Sequence, residues 1–264
     1  MPTTPRARSR VSLLLTAMIV AACDRGGDEG SERNARAARV DVEATIADEC
    51  PEEAVPAGME RLSLRAADGT PIGAATLGSG STAVVLVHGS GQDLCDWLPF
   101  ATRVADLGVT VVPYDLRGRG ASGGSKTETD PLPGDLASVV DTLREDGVDR
   151  VVLAGTSLGA ATALAASGRI SPPVDGVVAV SPPVFLGGID VIAEAGRYNG
   201  PIFPVVAAGD DVFARNVEEL AAALPNVRPA TVLDGSQHGM RLVQAFPDDT
   251  VGAIRRAVQE AEGS

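Results

Sequence analysis

Residues 151–163 read VVLAGTSLGAATA. An apolar run ends at Gly155, Ser157 follows two residues later, and Gly159 leads into an alanine-rich segment. The stretch predicts a strand that turns directly into a helix, with G-x-S-x-G at the turn. Such a turn presses backbone against backbone, and the flanking glycines remove the Cβ atoms that would collide. It lifts the Ser157 hydroxyl clear of the sheet and beside a helix N-terminus, where developing negative charge is favoured.

The same alternation runs along the chain from about Glu60. RLSLRA (61–66) and DGTPIGAATLG (68–78) read as a hairpin. TAVVLVHGSG (82–91), VTVVPYDLRGRG (109–120), RVVLAG (150–155), DGVVAVSP (175–182), FPVVAAGDD (203–211) and PATVLDGS (229–236) read as strands. Helical patterns separate them, among them LPFATRVADLG (98–108), PGDLASVVDTLREDG (133–147), NVEELAAALP (216–225) and DDTVGAIRRAVQEAE (248–262). Strands alternating with helices predict an α/β fold, a mostly parallel central sheet of about eight strands with helices on both faces. Ligands on such a sheet bind beyond the carboxyl ends of its strands. Only about twenty residues separate VAVSP from FPVVAAG, so no large cap domain is expected there.

The first residues follow another logic. RARSR (6–10) is basic, and Val11 to Ala22 is apolar but too short to span a bilayer. This pattern predicts a signal peptide over residues 1–22. The run ends in VAAC, which resembles a bacterial lipobox and makes Cys23 the expected lipidation site. A lipid there would hold an exported protein at the outer face of the cell membrane with nothing spanning it. Residues 23–58, charged and glycine-bearing, read as a flexible tether, and 59–264 as the folded domain. Outside the cytoplasm the remaining cysteines, Cys50 and Cys95, suggest a disulfide; two unrelated thiols are the alternative.

The net charge is −13, which argues against a nucleic-acid partner. No Cys/His cluster suggests a metal, and no G-x-G-x-x-G follows a strand, so neither metal nor nucleotide cofactor is expected. Nothing in the sequence fixes an oligomeric state.

Four motifs in order resemble the α/β-hydrolase superfamily: HGSG (88–91), DLRGRGAS (115–122), GTSLG (155–159) and SQHGM (236–240). The resemblance implies a serine hydrolase with Ser157 as nucleophile. Of the two histidines, His238 follows the last strand and is the expected base, whereas the resemblance makes His88 structural. The acid is expected after the strand FPVVAAGDD. Asp211 is the first choice, because DVFA (211–214) resembles the stretch that follows the acid in related hydrolases; Asp210 is the alternative. Amides of Leu158 and Ser90, with Gly91 in reserve for Ser90, are the expected oxyanion donors. Asp115 and Arg117 resemble a turn that organises loops, and Trp97 reads as core. The expected reaction is cleavage of a carboxylic ester, on a small molecule or a lipid, through an acyl-enzyme. Three other readings remain: transfer of the acyl group to an alcohol, a binding lipoprotein on a hydrolase scaffold, and a transporter's solute-binding lipoprotein.

Overall fold

A computed structural model describes residues 46–263. The expected signal peptide (1–22), the lipidation site Cys23 and the tether up to residue 45 lie outside the described residues.

Ten strands form among the described residues: β1 (Glu60–Arg65), β2 (Pro71–Thr76), β3 (Thr82–Val87), β4 (Thr110–Tyr114), β5 (Arg150–Thr156), β6 (Gly176–Val180), β7 (Phe185–Leu186), β8 (Ile189–Asp190), β9 (Ile202–Ala207) and β10 (Thr231–Leu233). Eight make one sheet in the order β1-β2-β4-β3-β5-β6-β9-β10, while β7 and β8 pair apart from it. β1 and β2 form the expected hairpin, and the six strands from β4 to β10 run parallel. Strand order reverses at β3, which has β4 on one side and β5 on the other. A crevice forms beyond the carboxyl ends at such a reversal.

Seven α-helices accompany the strands among the described residues: α1 (Leu98–Ala105), α2 (Leu132–Glu145), α3 (Leu158–Ser167), α4 (Val191–Ala195), α5 (Asp211–Ala223), α6 (Met240–Ala245) and α7 (Pro247–Glu262). Two large hydrophobic clusters lie on the two faces of the sheet, and strand residues alternate between them. Ala83, Val85 and Val87 of β3 join the cluster containing α2, α3 and α4. Val84 and Leu86 join the one containing α1 and α7. Burial on both faces explains why the middles of these strands are apolar. Between β6 and β9 the chain holds only the β7–β8 hairpin and the short α4, so no large cap is present.

The start of the domain differs from expectation. Within residues 46–58, assigned to the tether, two side chains pack on the fold while most of the others stay exposed. Ile46 and Cys50 are buried with Ala75, Leu94 and Leu98. Cys50 and Cys95 are joined by a disulfide with Cα atoms 5.5 Å apart. That link and the apolar Ile46 draw in a stretch whose composition alone reads as solvated.

Candidate active site

β5 ends at Thr156 and α3 begins at Leu158, so one residue makes the turn. That residue is Ser157, at φ 50° and ψ −115°, a conformation that costs free energy for any side chain with a Cβ. The neighbours show why the flanking glycines are needed. A Cβ on Gly155 would strike the Gly159 backbone, and one on Gly159 would strike the Val87 and His88 carbonyl oxygens. α3 is buried on nearly every side, which its alanines permit by letting the helix approach closely.

His238 follows β10 and reaches back to this turn. Its Nε2 lies 2.8 Å from Ser157 Oγ. Its Nδ1 lies 2.8 Å from Asp210 Oδ2. A carboxylate only accepts, so Nδ1–H donates to Asp210, and Nε2 is left to accept from the serine hydroxyl. Ala208 N–H donates to Leu233 O and Gly209 N–H to Gly235 O, both at 2.8 Å, so the loops carrying Asp210 and His238 run side by side. The imidazole is about one-third exposed, and the Phe213 ring covers it with centroids 4.0 Å apart.

The carboxylate that meets the imidazole is that of Asp210, and the expectation of Asp211 at this position is corrected. Asp211 is the first residue of α5, and it is exposed. There its charge complements the N-terminal end of the helix dipole, and its side chain leaves the strand end. Asp210 occupies the cap position one residue earlier but makes no side-chain cap bond; its carboxylate turns to the imidazole. The helix starts five residues before the NVEELAAALP segment read from the sequence. Apolar Phe213, Val217 and Leu220 at helical spacing are the signal that would have placed it.

The HGSG loop packs against the turn: a Cβ on Gly89 would stand 3.4 Å from Thr156 O. Gly89 N–H donates to Gln92 Oε1 at 2.7 Å, and Ser90 and Gly91 beyond it are exposed. Leu158, as first residue of α3, carries an amide for which a helix offers no internal acceptor.

His88 is fully buried. Its Nδ1–H donates to Gly89 O and its Nε2 accepts from Leu116 N–H, each at 2.9 Å. Burial pushes its pKa down to about 4, which keeps the ring neutral. Asp115, beside Leu116, accepts from Leu94 N–H at 2.8 Å and Ala121 N–H at 2.9 Å, and burial raises its pKa to about 7. Arg117 grips buried Asp135 through two bonds, at 2.8 and 2.6 Å. Trp97 is core, edge-on to Phe100. Among the described residues no group of His, Cys, Asp or Glu side chains is arranged to hold a metal ion, and no helix is long and apolar enough to cross a membrane.

Solved structures share this architecture. An esterase of Pyrococcus furiosus superposes with a TM-score of 0.63 at 18% identity, covering 77% of this chain and 91% of that one. A lidless α/β serine hydrolase of Xanthomonas campestris does so with a TM-score of 0.63 at 22% identity, covering 77% and 95%. A bacterial membrane phospholipase A gives 0.63 at 16% identity, covering 78% and 88%. No curated protein matches the sequence. The family model described as serine aminopeptidase, S33, matches residues 79–212, half of the chain, and takes in the His88 loop, the Ser157 turn and Asp210. The chain therefore belongs to the serine aminopeptidase S33 family of α/β-hydrolases.

Proposed function

We propose that this protein is a serine hydrolase that cleaves carboxylic esters of small molecules or lipids. The observation that carries the reading is the unbroken chain of 2.8 Å contacts from Ser157 Oγ through the His238 ring to Asp210 Oδ2. Ser157 attacks the ester carbonyl while His238 Nε2 takes its proton. Asp210 holds the ring in the tautomer that can accept, and stabilises the imidazolium that forms. The amides of Leu158 and Ser90 receive the oxyanion. His238 then protonates the leaving alcohol, an acyl-Ser157 remains, and a water activated by His238 releases the acid. An ester substrate is favoured by the esterase and the phospholipase A among the similar structures. The site, without a large cap, suits short acyl chains.

A fluorophosphonate probe and a graded series of p-nitrophenyl esters, run beside an aminoacyl p-nitroanilide, test this. Wild type is expected to be labelled and to turn over esters faster than the anilide, and Ser157→Ala to lose both activities. A folded wild type that resists the probe would overturn the proposal. The chain is further proposed to be exported and held at the membrane surface by a lipid on Cys23. Detergent-phase partitioning that survives Cys23→Ala would refute that anchor.

A further inference from the structure

Two residues other than glycine hold a positive φ among the described residues: Ser157 at 50° and Ser181 at 49°. Glycine takes such a conformation without strain, and the chain uses it so at Gly239, φ 56°, next to His238. A serine kept in its place implicates the hydroxyl. At Ser157 the hydroxyl meets the imidazole. At Ser181 the fully buried Oγ accepts the Gly239 N–H at 3.1 Å.

The position of Ser181 gives that bond its meaning. It follows β6, the strand between β5, which leads to Ser157, and β9, which leads to Asp210. Ser181 N–H donates to Val205 O of β9 at 2.8 Å. The carbonyl of Val180, one residue earlier, accepts the Ser157 N–H at 2.9 Å. One dipeptide thus touches the backbone of the nucleophile, the strand of the acid and the loop of the base. Gly239 is itself buried against the nucleophile: a Cβ there would stand 3.5 Å from Ser157 Cβ. We propose that Ser181 is a positioning residue for His238, its Oγ fixing the Gly239 amide and so the approach of Nε2 to Ser157. The inference rests on the hydrolase reading above.

The test uses Ser181→Gly, which removes the hydroxyl and relieves the strained φ, and Ser181→Ala, which removes the hydroxyl alone. On an ester that wild type hydrolyses, both are expected to lose about 10- to 100-fold in kcat, as a slightly misplaced catalytic group does, with KM within about twofold. Ser181→Gly should melt no lower than Ser181→Ala. Ser181→Cys, which keeps a weak acceptor at the same place, should recover part of the kcat. If Ser181→Gly keeps wild-type kcat while Ser157→Ala is dead, the hydrolase reading stands and the Ser181 proposal is overturned. The Ser181 proposal also fails if kcat merely tracks melting temperature across the variants. An inert wild type with unlabelled Ser157 overturns both.

Discussion

The chain has two histidines, and they have been put to opposite uses. His88 is sealed in and bonded only to peptide groups, an amide and a carbonyl. Those partners fix one neutral tautomer and offer the ring nowhere to pass a proton. His238 is part exposed and bonded only to side chains, a carboxylate and a hydroxyl. In the proposed mechanism the carboxylate stabilises the charge that arises when the hydroxyl gives up its proton. The same imidazole is a staple in one place and is proposed as a proton carrier in the other, and the partners decide which.

Exchanging the two roles by deletion tests that contrast most severely. His238→Ala should lower kcat by roughly 10⁴-fold or more, since a serine without its base is a poor nucleophile, while the melting temperature stays close to wild type. His88→Ala should do the reverse. It leaves the Leu116 amide and the Gly89 carbonyl unpaired around a cavity, at a cost of about 3 kcal/mol in stability. The folded protein should retain activity within about tenfold. Urea melts and ester kinetics on the two variants would erase the contrast if both lost activity to a similar degree.

A smaller effect sharpens it. If the carboxylate partner is what makes His238 a base, Asp210→Asn should cost about 10³- to 10⁴-fold in kcat. Asp211→Asn, at an exposed helix start, should change kcat by less than about threefold. Equal losses in the two variants would mean that the adjacent acids share the task and that the bond to Asp210 is not decisive.

These pairs also mark how far the sequence could be read. The sheet was legible because β3, β5, β6 and β9 are apolar apart from residues at their ends, as strands buried on both faces are. The Ser157 turn was legible because its glycines answer a local steric demand. Asp210 was not, because choosing between neighbouring acids needs the first residue of α5, and helix ends are the least marked part of a helical pattern. The packing of Ile46 and Cys50 was hidden for a different reason: the charged composition around them reads as solvent-facing, and only the surface they pack on reveals them. The roles of Ser181 and Phe213 arise from contacts across 58 and 25 positions of sequence, which no local pattern carries.

The smallest expected effect bears on the charge of the buried groups around His88. Its pKa falls from 6.5 to about 4 on burial. Between those values the unfolded chain binds a proton that the folded chain refuses, so stability falls as pH drops through that window, by up to about 3 kcal/mol. Asp115 opposes it. Burial raises that carboxyl from 3.8 to about 7, so the folded chain binds a proton the unfolded chain does not, and stability rises as pH drops through much the same window. The two slopes have opposite signs and similar size, and in wild type they cancel to a nearly flat contribution. Asp115→Asn removes one of them. It should lower stability at pH 7, since a carboxylate that held two amides is gone, and its urea midpoint should then fall further between pH 6.5 and 4.5 than that of wild type. All other titrating groups, His88 among them, are common to both proteins and drop out of the difference, which reads Asp115 alone. Parallel curves would mean that the Asp115 carboxyl keeps its ordinary pKa inside the fold, and the cancellation drawn between it and His88 would have to be given up.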